Sequence, residues 1–200
     1  MAKKLSKAMS ADEFDAGYYY ASELKKFAAS LGIKTGNFRK IELETLIRTY
    51  LATGEVPDKK PTLPRKNKSE RDVLSATTLV ENYVGDKTTK SFLLDLVRQI
   101  NPSAKDKSGQ WYWLNDWRRQ MQEDNAAFTY RDIADKLLAL METKGRLPPI
   151  PSARMNNFIT EFLADPVNEG TSREEVLKAW EVLKATLGPK TYDAYKKLDI

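Results

Sequence analysis

The stretch Tyr18–Gly54, YYYASELKKFAASLGIKTGNFRKIELETLIRTYLATG, decides the fold of this chain. Its apolar residues fall into two stripes. Tyr20, Leu24, Phe27, Ala28 and Leu31 form the first, and Leu43, Leu46, Ile47, Tyr50 and Leu51 the second. Both follow the i, i+3/i+4, i+7 rhythm of a helix that buries one face. Between them, Gly32 can take the left-handed conformation that ends a helix, and Gly36 can turn the chain again. Asn37 is placed to cap the second helix, because its side chain can accept from first-turn amides. A unit of this size is too small to enclose a catalytic pocket, yet it can grip a phosphate backbone.

Outward from this segment the pattern stays helical. Ser10-Ala11-Asp12-Glu13 is a capping box, with Phe14 as the apolar contact of a short first helix that supports the pair. The tyrosines 18–20 are expected to roof the same small core. After Gly54 the composition changes. EVPDKKPTLPRKNKSER holds three prolines and six Lys/Arg against three acids, without apolar periodicity, and reads as an extended basic linker. From Val73 onward helical signals return. Thr88 or Thr89 is a cap for Phe92, Leu93, Leu96, Val97 and Ile100. Trp113, Leu114, Trp117 and Met121 mark a second helix, with Trp113 and Trp117 at core spacing. Thr129 opens a third with Ile133, Leu137, Leu140 and Met141. Further helices follow Ser152 and Thr171, and a short one carries Tyr192 and Tyr195. The spans around Trp117 and Phe158 align weakly as a repeat, with Thr129 matching Thr171; this reads as generic capping chemistry shared by two helix pairs, or as two related helix-pair units within 73–200. The expected fold class is all-α. The expected domains are an N-terminal helix plus two-helix module (1–54), a linker (55–72) and a larger helical domain (73–200).

Residues Glu23-Leu24-Lys25, Leu31-Gly32-Ile33, Thr35-Gly36, Lys40-x-Glu42-Leu43 and Ile47 carry a family resemblance. The segment resembles the SAP domain and related helix–extended loop–helix modules, including the one at the N-terminus of transcription terminator Rho. It covers about a fifth of the chain. Asn37, Phe38 and Arg39 separate Gly36 from Lys40, a loop two residues longer than the usual SAP pattern. The resemblance implies DNA or RNA binding through the loop and the start of the second helix.

Composition excludes several chemistries. The 200 residues contain neither Cys nor His. Disulfides, the usual zinc sites and Ser-His-Asp or Cys-His catalysis are therefore ruled out. No phosphate-binding GxxxxGK[ST] loop and no GxGxxG fingerprint is present. No apolar run approaches the ~20 residues needed to cross a membrane. The N-terminus lacks the apolar stretch of a secretory signal. The expectation is a cytoplasmic protein, nucleoid-associated if bacterial and nuclear if eukaryotic, that is not an enzyme and takes neither cofactor nor metal. The net charge is +5. Residues 1–100 hold 18 Lys+Arg against 13 Asp+Glu, and residues 101–200 hold 15 against 15. A basic half beside a neutral half points to a polyanion partner for the first.

The candidate site follows from these readings. Lys34, Thr35, Gly36, Asn37, Arg39 and Lys40 form its centre. Arg39 and Lys40 fall where a helix dipole disfavours cations, and a phosphate docked on the first-turn amides would answer both. Lys25 and Lys26 on the first helix, with Arg48, widen the patch. Lys59, Lys60, Arg65, Lys66 and Lys68 of the linker add phosphate contacts. Phe38 is expected to tuck back over its own core. The aromatic–arginine cluster Trp111-Tyr112-Trp113…Trp117-Arg118-Arg119 suits base stacking, but its spacing favours core. The function read from the sequence is non-catalytic binding of DNA, with RNA as the alternative nucleic acid. The competing reading is a scaffold whose residues 73–200 bind a protein partner.

Overall fold

The computed structural model describes residues 4–36, 38–58, 67 and 69–198. Among the described residues there are nine α-helices, one 3-10 turn and no strand; Leu79 and Thr129 form an isolated antiparallel bridge. The chain is all-α, as its periodicity requires.

The helices sort into two compact units, Met1–Pro61 with Ile150–Ile200, and Thr62–Pro149. This differs from the expected 73–200 domain: residues 150–200 group with the N-terminal module. Periodicity shows that a helix buries a face but does not show what covers it. The expected linker fares differently along its length. Residues 59–66 and 68 lie outside the described part. Its end is pinned into the second unit, because Asp72 accepts from the main-chain N–H of Glu81 (3.1 Å) and Asn82 (2.8 Å) and from the Tyr130 hydroxyl (3.1 Å).

The first unit contains α1 (Ala11–Asp15), α2 (Ala21–Ser30), α3 (Lys40–Thr53), α7 (Arg154–Ala164), α8 (Arg173–Ala185) and α9 (Tyr192–Lys196). Two apolar clusters fill it. Phe14, Leu24, Phe27, Phe38, Leu43 and Ile47 pack between α1, α2 and α3. Phe158, Phe162, Val176, Trp180, Leu183 and Tyr192 pack between α7, α8 and α9. Tyr18 belongs to the second cluster and Tyr19 to the first, so the tyrosine run divides between two cores rather than roofing one.

Local rules explain the helix ends. Ser10 and Glu13 make the expected capping box around α1. Leaving α2, Gly32 sits at φ 82°; its N–H reaches Ala29 O (3.0 Å) and the N–H of Ile33 reaches Ala28 O (2.9 Å). This double closure requires a left-handed residue, which glycine adopts without strain, and it buries Ile33 beside Ala28. At the start of α3 the cap position belongs to Arg39, not to Asn37, which lies outside the described residues. The Glu42 carboxylate reaches back to the Arg39 N–H at 2.6 Å, as Glu23 does to Tyr20 (2.7 Å) at the start of α2. Ser172 rather than Thr171 caps α8.

The second unit contains α4 (Lys87–Ile100), α5 (Gln110–Glu123) and α6 (Tyr130–Glu142) around Leu93, Val97, Leu114, Ile133 and Leu137. Asp86, not Thr88 or Thr89, caps α4, accepting from Thr89 N–H at 2.9 Å. Thr129 caps α6 as expected. Because Thr129 caps and its repeat counterpart Thr171 does not, the weak repeat does not extend to the caps. On α5 the inward positions are Leu114 and Arg118, with Trp117 packed at the edge of the core. Trp113 turns outward and donates its indole N–H to Pro148 O at 3.0 Å. Buried Arg118 lies over the Tyr83 ring at 4.4 Å.

Candidate nucleic-acid interface

The loop between α2 and α3 divides its cations into two groups. Lys25 and Lys26 project from the exposed side of α2, away from the Leu24, Phe27 and Ala28 face. Lys34 is exposed on the loop beside half-buried Thr35 and exposed Gly36. These three lysines make no ion pair among the described residues. Gly36 turns the chain at φ 25°. Phe38 is buried at 6% exposure and packs into the α1–α3 core, which anchors the far end of the loop.

The other cations of this region are engaged internally. Arg39 pairs with Glu42 at 3.4 Å, one turn along α3. Lys40 has its ammonium 3.8 Å from Glu44 and 4.1 Å above the centre of the Tyr18 ring. Burial pushes the Lys40 ammonium down from its ordinary range, with Glu44 opposing the shift. Arg48 makes a bidentate bond to Asp15 at 2.7–2.9 Å. The apparent misplacement of Arg39 and Lys40 at a helix start thus has an internal answer. Glu42 takes the first-turn amide and pairs with Arg39, while Glu44 and the Tyr18 π-face hold Lys40. Arg48 is committed to α1 and does not widen the lysine patch.

Of the expected site, the structure therefore exposes Lys25, Lys26, Lys34 and Gly36, half-buries Thr35, and engages the half-buried Arg39 and Lys40 with acids of the same helix. Asn37, Lys59, Lys60, Arg65, Lys66 and Lys68 lie outside the described residues. The charge asymmetry between halves also changes once the chain is folded. Residues 150–200 bring eight acids against seven cations to the first unit, leaving it with 18 Lys+Arg against 16 Asp+Glu. The second unit holds 15 against 12. Positive charge is shared by both units, and local placement on α2 and its loop matters more than the sum.

Sequence reasoning missed Arg154. Its guanidinium donates to Glu44 (2.9 Å) and to the carbonyl of Gly17 (3.1 Å), and it lies 5.3 Å from the Tyr18 ring. Nothing in the local pattern around Arg154 marks it, because its partners lie more than 100 residues away.

A pocket of about 270 Å³ in the second unit is lined by Leu94, Val97, Ala104 and Met141 together with Arg98, Lys105 and Asp106. That is smaller than the ~300–1,000 Å³ typical of small-molecule sites. Among the described residues no group of three or more Asp or Glu side chains could hold a metal ion, and no helix is long and apolar enough to cross a membrane. No protein-family model matches the chain, and neither does a curated protein or a solved structure.

Proposed function

We propose that the protein is a non-catalytic nucleic-acid-binding protein that contacts the phosphate backbone of DNA through the α2–α3 loop. The observation that carries this reading is the division of cations around that loop. Arg39, Lys40 and Arg48 are each held by an acid of the same unit, while Lys25, Lys26 and Lys34 stand exposed with no acid partner among the described residues. Cations left unpaired beside a glycine turn and a threonine hydroxyl suit phosphate oxygens, which accept from ammonium, hydroxyl and backbone N–H alike. The SAP-like pattern of the same residues points the same way. Lys59, Lys60, Arg65, Lys66 and Lys68 supply further contacts by sequence. Such binding is governed by counterion release, so it is steeply salt-dependent and weak in sequence preference.

The test is a titration of labelled duplex and single-stranded DNA, and of RNA, across a salt series. Wild type binds at low salt. A Lys25→Glu/Lys26→Glu/Lys34→Glu variant loses affinity, and its log–log salt slope falls by about one for each contact removed. Absence of binding at low salt overturns the proposal. Binding that survives the triple variant unchanged moves the contacts away from the loop.

A further inference from the structure

Of the five residues that lead from α1 into α2, Tyr19 packs into the α1–α3 core, while Ala16, Gly17, Tyr18 and Tyr20 each contact the C-terminal segment of the same unit. The carbonyl of Ala16 accepts from the Gly188 N–H (3.2 Å) and from the Lys190 ammonium (3.1 Å). Lys190 is itself buried at 3% exposure and also donates to Thr186 O and Gly188 O at 2.8 and 2.9 Å. The carbonyl of Gly17 accepts from Arg154. The Tyr18 ring stands edge-on against Trp180, with centroids 4.8 Å apart. Tyr20 lies 3.3 Å from Glu181 through its hydroxyl and carries Lys184 over its ring at 4.6 Å.

Arg154 also reaches α3 through Glu44. Its two-pronged guanidinium joins the peptide that precedes α2 to Glu44, whose side chain is 6% exposed, and Glu44 in turn holds Lys40 at the first position of α3. The two helices that flank the exposed loop are thereby fixed to one side chain at the start of α7. We propose that Arg154 is a positioning residue for the α2–α3 loop, and that α7–α9 are an obligate part of the binding unit rather than a separate partner-binding domain. This inference rests on the loop being the phosphate-contacting element. Lys40 then acts inside the unit, as a strut between Tyr18 and Glu44, and not as a phosphate contact.

The chemistry favours a guanidinium here. A planar fork satisfies a carbonyl and a carboxylate together, whereas an ammonium is a single point charge. Removing Arg154 leaves the buried Glu44 carboxylate to the longer 3.8 Å pair with Lys40, so the effect extends past the deleted charge.

The experiment compares full-length Arg154→Ala, Arg154→Lys and Lys34→Ala with wild type. It reads DNA affinity over a salt series and amide hydrogen exchange of residues 33–43. Arg154→Ala is expected to weaken binding about tenfold without changing the salt slope, and to speed exchange in the loop and the first turn of α3 while α4–α6 stay protected. Lys34→Ala is expected to lower the slope by about one and leave exchange unchanged. Arg154→Lys keeps the charge and the fold and shows a smaller loss in both readouts, which decides the matter if the alanine variant does not fold. A slope change in Arg154→Ala like that of Lys34→Ala makes Arg154 a phosphate contact and overturns the proposal. Wild-type exchange in both Arg154 variants overturns it as well. If wild type binds no nucleic acid at low salt, the function proposed above fails, while the exchange arm still decides whether Arg154 fixes the loop.

Discussion

The two units use the same polar device and build it from different distances along the chain. In the first, Tyr18 lies among Lys40, Arg154 and Trp180, with Glu44 as the shared carboxylate. In the second, Tyr130 stacks near Tyr83, donates to Asp72, and has Arg118 above the neighbouring Tyr83 ring. Both place an aromatic ring, a cation and a carboxylate where apolar packing meets irregular chain. The second unit assembles from residues 62–149 in one run. The first joins partners as far apart as Tyr18 and Trp180. Contacts between distant segments require loop closure before they reward the chain, so the first unit is the one whose integrity depends on single long-range contacts.

The largest effect should come from Trp180→Ala. Trp180 is fully buried against Tyr18 and Phe158. Its truncation is expected to cost about 3–5 kcal/mol. In hydrogen exchange, the amides of α2, α3 and α7–α9 should lose protection while those of α4–α6 keep theirs. Loss of protection in both units together would show that the contrast between them does not extend to stability.

A smaller loss, about 1 kcal/mol, is expected for Tyr130→Phe, which deletes the bond to Asp72 but keeps the ring in place. Chemical denaturation monitored on α4–α6 measures it. The same residue gives an alkaline signature. Burial first, and then the Asp72 charge, raise the Tyr130 hydroxyl above its ordinary 10.0. Its contribution is fully present below that ordinary value and is lost as pH rises toward the raised value in the folded protein. Tyr130→Phe should therefore be less sensitive than wild type above pH 10. An identical alkaline profile would remove Tyr130 from the account.

On the acid side, the bond from the Thr89 N–H, and then Arg71, hold the Asp86 carboxyl down at about 2 from an ordinary 3.8. Its support for the start of α4 is present above 3.8 and is lost as pH falls through about 2. Asp86→Asn retains a capping side chain and is expected to flatten the acid limb of the second unit's unfolding curve in that window. The smallest effect is expected for Arg48→Ala. Its pair with Asp15 has both side chains more than 40% exposed, and such pairs contribute about 0–1 kcal/mol. A thermal melt that fell by as much as in Trp180→Ala would place the critical joint of the first unit at α1 instead.

The fold class was legible because helical periodicity is a local property. The stripes of α2 and α3, the capping box at Ser10, the Gly32 stop and the Thr129 cap could each be read within one or two turns of sequence. The misread caps failed for local reasons too. At α3 a glutamate three residues into the helix reaches back to the Arg39 amide, and at α4 Asp86 stands just ahead of the threonines that looked suitable. The outward turn of Trp113 shows the limit of spacing alone: both it and Trp117 fit a helical stripe, and the neighbouring elements selected Leu114 and Arg118 to face inward.

The exposed part of the candidate interface was likewise within reach of the sequence. Lys25 and Lys26 sit opposite an apolar stripe, and Lys34 follows a helix stop. Which cations were already committed was not. Arg39 and Lys40 look free in sequence, and they are held by Glu42, by Glu44 and by a tyrosine whose ring belongs to the C-terminal core. By itself the sequence determined that this chain is helical, where most of its helices begin and end, and that its chemistry lacks histidine and cysteine. Only the tertiary structure decided that residues 150–200 complete the N-terminal unit and that Arg154 joins its helices. The physical reason is that an apolar stripe or a charged side chain specifies that it needs a partner, while the choice of partner depends on which distant surface the folded chain brings to it.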